Sequence, residues 1–163
     1  MTLLGKITVN KSLVIPKFVY LFSNVPNPPE MIFDILQKLL FRFLWNGKPD
    51  RIKRNMLYNE YKHGGLKMIH IKSFCKALKI AWVKRILEED IECKWKIFVE
   101  QCFEKYGGSC VFKGNFQVND LKHDTTIPFW TDVLKLGQNT STTIQSDLKI
   151  YYPNRYGIIR LSR

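Results

Sequence analysis

The sequence is short of acid. Fourteen Asp and Glu stand against 26 Lys and Arg, a formal net charge of +12. Two-metal phosphoryl or nucleotidyl transfer needs carboxylates gathered around the ions, and the adjacent acids here are Glu88, Glu89 and Asp90. Neighbours along a helix point in different directions, so the triplet reads as a helix end, balanced by Lys84 and Arg85 one turn earlier. Neither G-x-G-x-x-G after a strand nor a P-loop occurs, and H-E-x-x-H and G-x-S-x-G are missing as well. The expectation is a protein that is not an enzyme, with no catalytic residues and no cofactor.

Cysteine is equally sparse. Cys75, Cys93, Cys102 and Cys110 form no C-x-x-C pair, and free thiols are expected instead of a disulfide framework. His63, His70 and Cys75 lie near one another in sequence but want a fourth ligand and match no usual zinc spacing. No metal site is expected. Long apolar runs are missing too: no stretch of 18 apolar residues without charge is found, so no membrane span is expected. Lys17 interrupts Leu13–Phe22 and no small-residue cleavage site follows, which argues against export and for a nuclear or cytoplasmic protein.

What is there is core material and positive charge. Apolar residues make up 45% of the 163, with 11 Phe, 7 Tyr and 4 Trp, which is no disordered composition. A chain of this length buries roughly 70% of its unfolded surface. The charge is concentrated. Arg42 to Arg85 hold 12 Lys or Arg against Asp50 and Glu60, a net +10, and the other 119 residues hold a net +2. Such a block favours a polyanionic partner, nucleic acid first and an acidic membrane surface second. The competing reading is an ordinary solvated face.

The chain reads as helical. Residues 3–24 form a helix that Pro16 should kink or break near Ile15. "NVPNPP" (24–29) is a rigid connector, with Asn27 placed to cap the next helix. In 29–45, Ile32, Ile35, Leu36, Leu39, Leu40, Phe43 and Leu44 recur at three- and four-residue spacing. Asp34, Lys38 and Arg42 fall on the opposite face, Asp34 and Lys38 as an i,i+4 pair. Gly47 and Pro49 stop this helix. A basic loop occupies 50–68, with a short ordered piece around Met56–Tyr61, and Gly64-Gly65 supplies backbone freedom there. Residues 69–89 form a helix with Lys76 and Lys79 within about 40 degrees of Lys72, a lysine stripe opposite Phe74, Cys75, Leu78, Ala81 and Trp82. A helix over 91–106 turns Ile91, Trp95, Phe98, Val99 and Cys102 inward. Residues 111–126 read as loop with room for one short strand. Residues 127–136 form a short helix capped by Thr125 or Thr126, and "LKIYY" is a strand or a poorly packed end.

Residues 41–87, "FRFLWNGKPDRIKRNMLYNEYKHGGLKMIHIKSFCKALKIAWVKRIL", resemble the segment that follows the reverse transcriptase domain in LINE-type (non-LTR) retrotransposon polyproteins. The resemblance rests on Phe43, Leu44 and Trp45, the turn at Gly47, Arg51-Ile52-Lys53, Gly64-Gly65-Leu66, and Ala77, Ala81 and Trp82. Upstream it continues through Gly5, Lys6, Ile7, Lys11, Pro16, Lys17 and Tyr20, and downstream through Phe129, Trp130, Asp132 and Val133. It covers about 5–86 specifically and 127–135 fairly.

The resemblance implies a thumb-like helical bundle (1–106) that closes over a template–primer duplex, followed by a connection-like segment (107–163). The family's polymerase centre, an aromatic-x-Asp-Asp motif plus a further Asp, does not occur in this sequence. A truncated, non-catalytic fragment of an RNA-directed DNA polymerase is therefore expected. The fold class expected is mainly α, a small bundle of about four to five helices with a basic loop and a poorly ordered C-terminal tail. The partner expected is nucleic acid (DNA, RNA or a hybrid), held by non-specific backbone contact, with no membrane. Arg51, Lys53, Arg54, Lys72, Lys76 and Lys79 are the candidate nucleic-acid-binding residues. Phe43, Trp45, Gly47, Gly64, Gly65 and Trp82 are the structural motif around them. Two other readings stay open: a decayed retroelement fragment with no selected function, and a protein-interaction module using an apolar surface that a polymerase palm would cover.

Overall fold

The structure, a computed structural model, describes residues 1–88, 93–113 and 128–141. The fold is mainly helical, with no strand among the described residues. The first helix of the chain is one rod in three parts: α1 (Leu3–Val9), a π-helical stretch Asn10–Val14, and α2 (Ile15–Asn24). The expected disturbance at Pro16 is thus a widened turn and not a break. Ile15 N–H reaches five residues back to Asn10 O, and Pro16, with no N–H to place, enters the first turn of α2.

α3 (Glu30–Leu44) follows the proline connector. Asn27 does not cap it: the residue before α3 is Pro29, with no side-chain cap. Asn27 instead bonds distant elements, its N–H donating to Asp132 Oδ2 at 2.8 Å and its Oδ1 facing Cys75 Sγ at 3.3 Å. After α3 come α4 (Arg54–Tyr58), a 3-10 turn Tyr61–His63, and α5 (Ile71–Leu87). α6 (Lys94–Phe103), two 3-10 turns (Glu104–Tyr106 and Gly108–Phe112) and α7 (Pro128–Ser141) complete the described residues. The strand expected within 111–126, the Thr125 or Thr126 cap, Ile91 and the "LKIYY" end fall largely or wholly outside the described residues, and 111–112 are 3-10.

The interior is two apolar clusters that meet along α5. The first gathers Ile7, Ile15, Phe22, Phe33, Leu40, Phe41, Leu44, Leu57, Ile71, Phe74 and Leu78. The second gathers Ile86, Val99, Phe103, Val111, Phe129, Trp130, Val133 and Leu134, with Trp82 and Trp95 packed against it. The expected division at residue 106 does not fall between these clusters, because α6 shares its interior with α7.

α3 turns a different face inward from the one its spacing suggests. Phe33, Gln37, Leu40, Phe41 and Leu44 are buried. Ile35, Leu39 and Phe43, expected inside, are exposed, and with Met31 they form an i,i+4 stripe 42–66% exposed. The helix is apolar around most of its circumference, so its periodicity defines no single buried side. Gln37 is buried for a reason: its Oε1 accepts the Ile71 N–H at 2.9 Å, tying the start of α5 to the middle of α3. Phe98, expected inward on α6, is also exposed.

Candidate nucleic-acid interface

The basic block begins where α3 ends. Gly47 N–H bonds Arg42 O at 2.8 Å and Asn46 N–H bonds Phe43 O at 3.3 Å, the paired bonds of a Schellman turn. Asn46 (φ 54°) and Gly47 (φ 74°) both sit in the left-handed region. Asn46 therefore takes the helix-stopping position immediately after the cap residue Trp45, and Gly47 follows it. Lys6 holds this turn from below. It is buried, and its Nζ donates to Leu44 O at 3.0 Å and to Asn46 Oδ1 at 2.5 Å. Trp45 packs against the first cluster, but its Nε1 is buried without a partner.

The chain leaves this turn through Lys48, Pro49 and Asp50 and returns along α4. Arg54 Nε donates to Asp50 Oδ2 at 2.6 Å, and the guanidinium carbon lies 4.5 Å from the centre of the Phe41 ring. A notch of about 350 Å³ opens between α3 and this return, lined by Lys38, Arg42, Lys48, Asp50 and Arg54 over Phe41. Lys38 makes no ion pair with Asp34, contrary to expectation, and Lys38, Arg42 and Lys48 carry no ion pair among the described residues. A smaller hollow of about 190 Å³ beside it is lined by Lys6, Trp45, Lys48 and Arg51.

The loop then closes through the two glycines, each for its own reason. Gly64 has φ 73°, which side-chain-bearing residues resist. Gly65 lies outside the left-handed region, but a Cβ there would overlap the Asn59 carbonyl. Leu66 and Met68 N–H groups bond Leu57 O, folding the segment back onto α4.

The six candidate residues divide into three groups. Arg51 and Lys53 are exposed, and Arg54, half-buried, is held by Asp50 at the C-terminal end of α3. Lys72 pairs with Glu30 at 2.6 Å, and Lys76 is exposed one turn further on. Glu30 and Phe41 are separated by about 16 Å of helix rise, so the loop group and the α5 group flank opposite ends of α3.

Lys79 leaves the stripe altogether. It is fully buried, its Nζ donates to Val25 O at 2.5 Å, and it sits 3.9 Å from the centre of the Phe129 ring. It cannot reach a phosphate. Burial pushes its pKa down to about 8, against the opposing pull of Cys75 and Asp132. The same burial pushes the Cys75 thiol up to about 11. The wheel placed Lys79 beside Lys72 and Lys76, but α7, arriving from 50 residues downstream, covers that side of α5.

Lys38, Arg42 and Lys48 were not among the expected binding residues. The first two were visible as a polar i,i+4 row on α3, and only the return of α4 makes them walls of a notch. Among the described residues no three His, Cys, Asp or Glu side chains gather as metal ligands would, and no helix is long and apolar enough to cross a membrane. No family model matches the chain, and no solved structure matches it.

Proposed function

We propose that the chain binds nucleic acid through the phosphate backbone, without catalysis, as a thumb-like fragment of a reverse-transcriptase-type protein. The observation that carries the reading is the C-terminal end of α3. Lys38, Arg42, Lys48 and Arg51 line the notch and the hollow beside it with no ion pair among the described residues, Lys53 is exposed on the same loop, and the single acid lining the notch, Asp50, is engaged by Arg54. Cations left unpaired in one region create a field that attracts polyanions. Binding through phosphates releases counterions and carries no base information.

The test is the salt dependence of duplex binding. If about four phosphates are neutralised, log K falls against log salt with a slope of roughly −3.6. Changing Arg51 and Lys53 together to Gln flattens that slope by roughly 2 units for every duplex sequence alike. Folding changes little, since exposed charges contribute little to stability. The control is Lys17→Gln with Lys94→Gln, two exposed lysines outside the notch and its loop. Equal weakening by both pairs would reduce the effect to net charge and favour the decayed-fragment reading.

One observation favours a second reading. The stripe Met31, Ile35, Leu39 and Phe43 is a contiguous apolar face on a charged protein, and such faces mark interaction surfaces. In the family arrangement the surface covering it would be a polymerase palm. Binding of a partner there would be insensitive to salt and lost on Leu39→Glu.

A further inference from the structure

We infer that the notch between the C-terminal end of α3 and α4 is a binding site for a single phosphate group. The inference rests on the reading above for the source of that phosphate, and on the notch alone for its chemistry.

The central feature is how Arg54 is held. Its Nε is engaged by Asp50 at 2.6 Å, and its guanidinium carbon lies over the Phe41 ring, 4.5 Å from the ring centre. The two terminal amino groups have no partner among the described residues. A guanidinium held at one edge and seated over a ring, with donors still open, matches the paired oxygens of a phosphate and loses less freedom on binding it than an unheld one. Asp50 here is a positioning group that consumes one edge of the fork and leaves the rest.

Charge and size agree with this. Lys38 and Arg42 stand one turn apart on α3, and Lys48 leaves the Schellman turn across from them. Four cations and one carboxylate line a space of about 350 Å³. Asp50 offsets this charge only at Arg54, and a bound dianion relieves the repulsion among the rest. The volume lies near the lower end of the roughly 300–1,000 Å³ typical of small-ligand sites, so a phosphate can enter together with its adjoining sugar. A diffuse cationic surface attracts any polyanion. A notch with a fixed fork also binds a small oxyanion.

The experiment uses the full chain, labelled with ¹⁵N, and inorganic phosphate exchanged for chloride at constant ionic strength. The Gly47 and Lys48 amides and the Arg54 Nε–H are followed. The expected result is a saturable shift with phosphate and none with chloride. Lys38→Gln with Arg42→Gln removes two groups that have no ion pair, so the fold is kept, and weakens binding about tenfold or more. Arg54→Lys, which keeps the charge and removes the fork, weakens it too, and Lys17→Gln with Lys94→Gln, two exposed lysines outside the notch lining, leaves it unchanged. A linear response equal to that of chloride overturns the site, as does a Lys38/Arg42 double variant that binds phosphate like the parent.

Two duplexes of one sequence, with and without a 5′-phosphate, then separate the sources. An equal loss of affinity in the notch variant assigns the notch to backbone phosphate, and a loss confined to the phosphorylated duplex assigns it to a strand end. Saturable phosphate binding with duplex affinity untouched by both the notch and the loop variants would leave the notch standing and overturn the nucleic-acid reading.

Discussion

Lys79→Met keeps the length of the side chain and removes a charge from the seam between the two apolar clusters. The structure places the ammonium at zero exposure, bonded to Val25 O and facing Phe129, with Cys75 and Asp132 as the ionisable neighbours. Its pKa is about 8 when folded, against 10.5 for an ordinary lysine. Between those values the unfolded chain binds more protons than the folded one, so stability rises with pH across that window. From pH 7 to pH 9 the gain from Lys79 is about 1 kcal/mol. Cys75 acts oppositely: its thiol keeps its proton up to about 11 when folded and loses it near 9 when unfolded. Stability therefore falls with pH from about 9 to 11 on its account.

The parent chain should gain stability from pH 7 to 9 and then level off. The methionine variant should lack the rise and keep the decline. At pH 7 the variant is relieved of the buried charge but leaves the Val25 carbonyl without a donor, a loss of about 1–3 kcal/mol, and the two effects largely offset. Lys11, with its pKa lowered chiefly by burial, and Tyr58, with its pKa raised chiefly by burial, titrate alike in both proteins, so the difference between the curves is the measure. Urea unfolding followed by tryptophan fluorescence at half-unit pH steps reads it directly. Parallel curves for parent and variant from pH 7 to 9 would refute the buried, charged lysine.

Trp82 donates to Ser23 O at 2.7 Å and stands edge-on to Trp95, Phe129 and Trp130, with ring centres 5.3–6.0 Å away. Trp82→Ala should cost about 3–5 kcal/mol in denaturant unfolding, and a loss below 1 kcal/mol would show that the aromatic group is not a packing centre. The two loop glycines should separate in the same assay. Gly64→Ala meets only the left-handed backbone, about 1–2 kcal/mol, and Gly65→Ala must displace the Asn59 backbone itself, which places it at or above the roughly 1–3 kcal/mol usual for overpacking. The reverse order would mean that the turn is shaped differently.

The limits of α3 were legible in the sequence because Pro28, Pro29 and Gly47 punctuate it, and punctuation is local chemistry. Which face of α3 is buried was not legible, since Ile35, Leu39 and Phe43 are as apolar as Phe33, Leu40 and Phe41 and only the packing of α1 and α5 distinguishes them. Asn27 looked like a cap because its neighbours are prolines, yet its hydrogen bonds run to α5 and α7, 48 and 105 residues away. Lys79 illustrates the same limit: a helical wheel describes one helix, and α5 is covered from both sides. The basic block was legible as charge. Its division into a notch, a loop and a separate pair near Glu30 depends on the Asp50–Arg54 and Glu30–Lys72 pairings, which spacing alone does not reveal.

α5 gives its first half, Ile71 to Leu78, to one apolar cluster and its last turns, around Trp82 and Ile86, to the other. The two clusters therefore share a load-carrying rod and cannot melt as separate foldons. Opening either cluster strips one end of that helix and withdraws the support that the other end needs. The slowest-exchanging amides of the chain should then lie in the middle of α5, on either side of Lys79. A chain severed between residues 88 and 93 would leave the C-terminal part without the helix that completes its interior, so the halves would fold only together.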